Sequence, residues 1–503
     1  MKRRTLCVVS ALCAALALAA PAAGDLQIGV VDDQAKGAAP ERFFGQMSDI
    51  GLSEVRVTIL WDPAEPLTIR DQPAIERLLP FAQARGIKVL FVLDLANPRA
   101  VGNSTAAAGR FAAFAAHVGR TFPSVRDIIV GNEPNQTRFW QPQYNANGSP
   151  AACVAYERLL AASYDALKQV DRGVNVIGVG LSPRGNDSPT AGNNVSRSPI
   201  RCLRDIGAAY RGSARRLPIM DELSFHPYPR SDRDPLLKGY QWPNAGVPNL
   251  DRIKQAVWDS FNGTRQPTFA ERGRAGGLRF RLDEVGWQVR IVASAAHAYE
   301  GVENVPTTEE ASQAQIYGGL IRYLACDPTV RSLLFFGLID EPSLDRWQAA
   351  LVRADGTPRP AYGAVKSTFA ETGGRCVGSA RPWRHSTTVA GARAIFPRGN
   401  VVPANRRSWV FKVRADEGAR FRAGIFRVNG PSKVDRKGIA RSLTRSGGVL
   451  RATGAAKAHR TPRVKFRNRK LAPGWYVYGV RLSAETNAKR ASTFVSRPFG
   501  IKR

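Results

Sequence analysis

The chain of 503 residues predicts an α/β protein, a (β/α)8 TIM barrel followed by a small all-β domain of the immunoglobulin-like sandwich type. Three observations carry this. The length accommodates a barrel of roughly 250 or more residues and a further domain, because single hydrophobic cores seldom grow beyond about 300. From Asp25 to about Gly374 short apolar or β-branched runs alternate with longer amphipathic stretches, the pattern of repeated βα units on a parallel sheet. Beyond Cys376 the pattern changes to short alternating runs such as Trp409–Val413, Arg422–Arg427 and Trp475–Val480, with turn residues between them. The expected organisation is a signal peptide over 1–24, a barrel over 25–376 and a basic β-sandwich over 377–503.

In chain order, Met1, Lys2, Arg3 and Arg4 precede an apolar run from Leu6 to Ala20, and small residues follow to Gly24. Charged start, short apolar middle and small-residue end read as a secretory signal peptide. The run is short for a membrane span and no other segment is apolar enough to be one, so the expected location is extracellular or in the cell envelope. Eight strands are expected at Leu26–Val31, Glu54–Leu60, Lys88–Leu93, Asp127–Gly131, Asn175–Val179, Glu222–Phe225, Leu278–Leu282 and Ser332–Leu338. Several are almost continuously apolar, as strands buried on both faces should be. Helices intervene: Ala74–Arg85 stops before Gly86, and Phe111, Phe114 and Val118 lie at i, i+3 and i+7. A doubly wound open sheet usually carries a Gly-rich phosphate turn after its first strand; none follows Val31, which favours a closed barrel.

Export changes how the cysteines read. Cys7 and Cys13 would leave with the signal, and Cys153, Cys202, Cys326 and Cys376 suit two disulfides in an oxidising compartment. Their wide spacing, with no C-x-x-C pair, argues against a metal site. If the units close in order, Cys153 and Cys202 begin neighbouring helices four and five, while Cys326 ends helix seven and Cys376 follows helix eight. The expected bridges are therefore Cys153–Cys202 and Cys326–Cys376, since crossed pairings would join distant parts of the barrel. The net charge of +32 is uneven: residues after Cys376 hold 30 Lys and Arg against 4 Asp and Glu. Such asymmetry implies either an anionic partner, such as a cell-wall polymer or acidic polysaccharide, or a solvated basic surface. Export makes nucleic acid the lesser expectation.

In a (β/α)8 barrel, reactive side chains sit at the C-terminal ends of the strands. Strand four ends in Asn132, Glu133 and Pro134, strand six runs into His226, Pro227 and Tyr228, and strand seven ends in Asp283, Glu284 and, shortly after, Trp287. Glu133 and Glu284 follow apolar strands that would aim both at the barrel mouth, where an unpaired ionised carboxylate is costly. A facing pair suits cleavage of glycosides: one carboxylic acid protonates the leaving oxygen and the other attacks the anomeric carbon. Mutual repulsion raises the pKa of one partner and keeps an acid available near neutral pH. Either acid alone could instead cap a helix or pair with Arg.

With Asn132-Glu133-Pro134 after strand four and Glu284 to Trp287 after strand seven, the chain from about Asp25 to Gly374 resembles glycoside hydrolase clan A, the retaining barrel enzymes that include families 5 and 39. The resemblance implies Glu133 as acid/base, Glu284 as nucleophile, Asn132 as hydrogen-bond partner of the sugar 2-hydroxyl, Arg56 as a support of the nucleophile, and Tyr228 or His226 as the strand-six group bonded to it. His226 could equally be a satisfied interior imidazole and Tyr228 a packing ring. Of Trp61, Trp140, Trp287 and Trp347, all near strand tips, Trp140 and Trp287 are the expected sugar-stacking platforms and the other two the expected core residues. Strand eight departs from the family: Phe336 stands where many members place a Trp. Arg279, Arg281 and Asp283 alternate on strand seven, and Asp283 is expected to pair with Arg56 or Arg281, since buried charges require partners. Leu471 to Tyr478 resembles the late hairpin of bacterial immunoglobulin-like modules.

The expected function is thus a secreted retaining glycoside hydrolase acting on an oligo- or polysaccharide without a cofactor or metal, as no H-E-x-x-H or phosphate loop occurs. The competing expectation is a cell-envelope glycan-binding protein, anchored by its basic module, that holds glycan without turning it over. Sugar and linkage depend on loops such as Asn186–Asn194 and Arg230–Val247.

Overall fold

A computed structural model describes residues 26–272, 276–397, 401–403, 405–467 and 469–502; the expected signal peptide, with Cys7 and Cys13, lies outside the described residues. Eight strands, β1 (Gln27–Val31), β2 (Glu54–Trp61), β3 (Lys88–Leu95), β4 (Asp127–Val130), β5 (Asn175–Leu181), β6 (Glu222–Phe225), β7 (Phe280–Val285) and β8 (Val330–Phe336), form a closed barrel in sequence order. All neighbours are parallel, and β8 returns to β1 in register from Gln27 opposite Ser332 to Val31 opposite Phe336. Helices α1 (Pro40–Ile50), α2 (Gln72–Ala84), α3 (Thr105–Thr121), α4 (Ala152–Val170), α5 (Pro199–Gly212), α6 (Leu250–Phe261), α7 (Glu310–Ala325) and α8 (Pro360–Thr372) follow the strands in turn. Local chemistry sets their ends. Proline occupies the first turn of α1, α2, α5 and α8, where its missing N–H costs nothing. Ser104 caps α3 by accepting the Ala107 N–H, and Gly51 ends α1 in the left-handed conformation at φ 87°.

The barrel interior is layered. Leu90, Val92, Ile129 and Ile177 form a separate apolar plug, while the alternate residues of the same strands, such as Phe91, Ile128 and Val176, join the larger core under the helices. Below the plug lies a charged base: Arg281 of β7 contacts Glu54 at 2.7 Å, Asp127 at 2.9 Å and Glu222 at 2.5 Å, the acids being the first residues of β2, β4 and β6. Above the plug lie the residues of the barrel mouth. Between β7 and β8 the register moves from Leu282 opposite Leu333 to Val285 opposite Phe335, so two residues face one. That bulge lets Asp283 and Glu284, consecutive in sequence, both contact interior groups, which strict alternation would forbid.

The structure contains the disulfides Cys153–Cys202 and Cys326–Cys376. After α8 come two sheets. One takes Val401–Val402, Phe499–Ile501, Gly474–Ala484, Ala419–Val428 and Leu450–Ala456 in spatial order, with Ala491–Val495 also paired to Gly474–Ala484; the other takes Arg463–Lys465, Val410–Arg414 and Arg393–Ile395. Trp409, Phe411, Tyr478 and Phe499 pack in their shared core, while Arg420 and Arg422 alternate outward. Most pairs are antiparallel; Val401–Val402 runs parallel to Phe499–Ile501. A helix, α9 (Arg436–Thr444), interrupts the expected run of strands, laying Ile439 and Leu443 on Val477. The sandwich contacts the barrel on the side of α5 and α6: Arg490, buried, pairs with Asp259 at 3.0 Å, and Arg201 with Glu485 at 3.3 Å.

Candidate active site

Residues on or just beyond each of the eight strands line a cavity of about 640 Å3, among them Val31, Arg56, Asp94, Glu133, Ser182, Tyr228, Glu284 and Phe336. Glu284 is held on two sides. Arg56 Nη1 donates to its Oε1, and the Tyr228 hydroxyl donates to its Oε2 at 3.0 Å. Arg56 is itself fixed, with Nη2 donating to Asn132 Oδ1 at 3.0 Å and Nε lying 3.5 Å from Asp283 Oδ2. Asp283 therefore pairs with Arg56 and not with Arg281, and the Ser224 hydroxyl donates to its other oxygen. Because Asn132 spends its carbonyl on Arg56, its amide N–H groups are the side free to donate into the cavity.

Glu133 follows β4 through Gly131, whose φ of 73° and close approach to the Tyr156 ring, 3.0 Å from a would-be Cβ, leave room only for glycine. Glu133 itself has φ 37°, a left-handed conformation that strains a non-glycine residue and that surrounding hydrogen bonds must enforce. Its N–H donates to Gly180 O at 2.8 Å and its C=O accepts from Gln136 at 2.9 Å. Its Oε1 lies 3.0 Å from Nδ1 of the fully buried His226, whose Nε2 stands 3.5 Å from Asp283. Oxygens of Glu133 and Glu284 and a ring nitrogen of His226 lie within 4.8 Å of one another. These three could supply metal ligands in number, but Nδ1 points at Glu133 and the Arg56 guanidinium already occupies Glu284, so a cation would compete with existing positive charge.

Electrostatics divide the roles. Burial raises the Glu133 pKa, His226 opposes it and the charge of Glu284 adds to the rise. Burial disfavours the charged form of His226, but the carboxylates of Glu284 and Asp283 outweigh it and push the imidazolium up to about 10. Asp283 stays below the ordinary carboxylate range despite its burial, because His226 and Arg56 flank it. Arg56 and His226 thus oppose the acids of the site, while burial favours the protonated form of Glu133.

Asp94, at the end of β3, is a site residue that the sequence reading did not identify. Burial pushes its carboxyl up to about 7, against the opposing Leu95 N–H and Arg56. The folded protein thus keeps a proton that the unfolded chain releases near 3.8, so this group makes stability fall as pH rises from about 4 to about 7 and leaves it level above. Asp94→Asn is expected to remove that fall and to be more stable than the parent at pH 8 by a few kcal/mol, ~4 at most at 1.36 kcal/mol per pKa unit. Urea midpoints at pH 4 and pH 8 check this; a difference between the two proteins that does not grow with pH contradicts it.

The structure brings Glu133, Glu284, Asn132, Arg56, His226 and Tyr228 together. It does not bring Trp140 or Trp287 into the cavity: they are 2% and 1% exposed. Trp140 turns back against Tyr156, and Trp287 packs on Tyr317 with Nε1 donating to Asp234 O at 3.0 Å. Trp347, expected in the core, instead lines the cavity at 5.1 Å from the Tyr228 ring and 6.2 Å from Phe336. Trp61, as expected, is core.

No protein-family model matches the chain, and no curated protein matches it. Among solved structures it is similar to a family 39 glycoside hydrolase from Bacteroides cellulosilyticus WH2, at 14% identity over 89% of this chain and 81% of that one with TM-score 0.47. It is also similar to a glucosidase from Croceicoccus marinus, at 12% identity over 89% and 94% with TM-score 0.47. A third is a monomeric β-xylosidase from Caulobacter crescentus CB15, at 14% identity over 88% and 94% with TM-score 0.42. The closed barrel is the fold that the clan A resemblance of the motifs implies.

Proposed function

We propose that the chain is an exported retaining glycoside hydrolase. The observation that carries this reading is the convergence of Glu133 and Glu284, with carboxylate oxygens within 4.8 Å at the mouth of the barrel. Retaining enzymes place the two carboxyl groups about 5–5.5 Å apart, inverting enzymes about 6.5–9.5 Å to admit a water between them. Glu284, oriented by Arg56 and Tyr228, attacks the anomeric carbon while protonated Glu133 gives its proton to the glycosidic oxygen. The leaving sugar departs and a glycosyl ester forms on Glu284. Glu133, now a base, takes a proton from water, which attacks the same carbon and frees the sugar with its original configuration. The amide N–H of Asn132 is positioned to donate to a hydroxyl beside the reacting carbon, and Trp347 offers a ring for an apolar sugar face. Arg420, Arg422 and their neighbours on the sandwich would hold the enzyme on an anionic wall polymer or acidic polysaccharide, an association that weakens as salt rises.

Aryl glycosides and polysaccharides, tested in panels with the first-formed anomer read by NMR, test the mechanism. The product is expected to keep the substrate's configuration. Inversion would sink the double displacement, and tight binding without product would favour a glycan-binding protein.

A further inference from the structure

The walls of the cavity differ in charge from one side to the other. On the side of β1 and β8 every lining carboxylate is engaged: Asp32 accepts N–H groups of Gln34, Leu338 and Ile339, Asp33 pairs with Lys36 at 3.2 Å, and Glu341 with Arg346 at 3.5 Å. On the adjacent tips of β4, β5 and β6 stand Arg138, Arg184 and Arg230, all exposed and all lining the cavity. None has a carboxylate within ion-pair distance among the described residues. Arg184 is anchored, its Nη1 donating to Arg230 O at 3.2 Å and its own carbonyl accepting from Gln136, while Arg138 lies 5.7 Å from the Phe139 ring centroid. Asp232, which also lines the cavity beyond β6, accepts the Gln288 N–H at 2.7 Å, and burial raises it to about 6 against the opposing charge of Arg184. The general basicity of the chain does not explain this wall, since the excess positive charge lies mainly beyond residue 376.

We infer that the leaving-group side of the cavity binds an anionic sugar residue, a hexuronate or a sulfated sugar, through Arg138, Arg184 and Arg230. The side assignment rests on reading Glu133 as the acid: Glu133 stands just beyond β4, the oxygen it protonates belongs to the departing sugar, and that sugar lies against the β4 to β6 wall. Guanidinium groups pair with carboxylate and sulfate oxygens through parallel N–H donors, and three of them lining one wall of the cavity favour an anion over a neutral sugar of the same shape.

The test uses the full-length chain with Glu284→Gln, to hold substrates uncleaved, and calorimetry on matched short oligosaccharides: hexuronate di- to tetrasaccharides beside their methyl esters, and sulfated ones beside their desulfated forms. In at least one pair the charged member is expected to bind about tenfold or more tightly, as several weak charge-assisted contacts would give. That advantage is expected to vanish in Arg138→Gln/Arg184→Gln/Arg230→Gln and to be reduced but present in the corresponding triple Lys variant, which keeps the charge without the paired N–H donors. Because the basic sandwich is unchanged in these variants, its own affinity for anions cancels in the comparison. An advantage confined to the ester pairs assigns a carboxylate, and one confined to the desulfated pairs a sulfate. Equal binding of both members, absence of binding in every pair, or an advantage that persists in the triple Gln variant overturns the inference. The hydrolase reading fails separately, by inversion or absence of product in the parent protein.

Discussion

Glu284→Ala in the full-length protein is expected to lower hydrolysis by on the order of 10^5-fold or more, the scale seen when a nucleophile is removed from a concerted catalytic unit. Azide is expected to restore part of it. Removing the carboxylate opens space beside the anomeric carbon in a site whose other parts remain in place: Arg56 keeps Asn132 and Asp283, and His226 keeps Glu133. A small anion can then attack from the face that Glu284 used, with Glu133 still protonating the leaving oxygen. One displacement replaces two, so the glycosyl azide should have the configuration opposite to that of the substrate. Undiminished hydrolysis in Glu284→Ala would end the assignment. An azide product of unchanged configuration would instead move the nucleophile's role to another residue.

That the two glutamates meet at the barrel mouth was legible because strand ends can be read from apolar runs followed by polar residues. The aromatic assignments failed for a related reason. Nearness to a strand tip in sequence does not fix the direction of a side chain: Trp140 lies seven residues beyond Glu133 on a segment that folds back to Tyr156, and Trp287 turns under the loop carrying Asp234. Trp347 reaches the cavity from a loop long past β8, where no periodic pattern applies. Ser224 sits inside a strand that reads simply as buried, and Asp94 lies one residue past the strand end read at Leu93; the closure of the barrel brings them towards Asp283 and Arg56. The alternation of Arg279, Arg281 and Asp283 did point to interior charge, yet choosing between Arg56 and Arg281 as the partner of Asp283 required the layers: Arg281 is at the base and Arg56 at the mouth. The bulge that turns Glu284 inward directly after Asp283 left no mark in the residue pattern. In the second domain, α9 was missed because its nine residues are dominated by polar and basic side chains and bury only Ile439 and Leu443.

Arg281→Met is expected to destabilise the protein by about 5 kcal/mol, the upper part of the range for breaking a buried ion pair. Its guanidinium is fully buried and bonds to Glu54, which is buried as completely, and to Asp127 and Glu222. These acids come from the first residues of β2, β4 and β6, so one cation ties alternate staves of the barrel together at the end opposite the cavity. Met fills similar space but removes the guanidinium common to all three acids: Glu222 keeps Arg331 at 3.5 Å and Asn175 at 3.1 Å, Asp127 keeps Asn175 at 2.6 Å, and the fully buried Glu54 loses the cation that bonds both its oxygens. The cost is that of uncompensated charge, more than the worth of the lost hydrogen bonds, and this can be separated experimentally. Adding Glu54→Gln and Glu222→Gln to Arg281→Met should recover part of the stability, because neutral amides can remain in the base without a cation. If the single variant unfolds at the same urea concentration as the parent, the base does not bear the barrel's closure. If the triple variant is less stable than Arg281→Met, the energy resides in packing and hydrogen-bond geometry and not in charge.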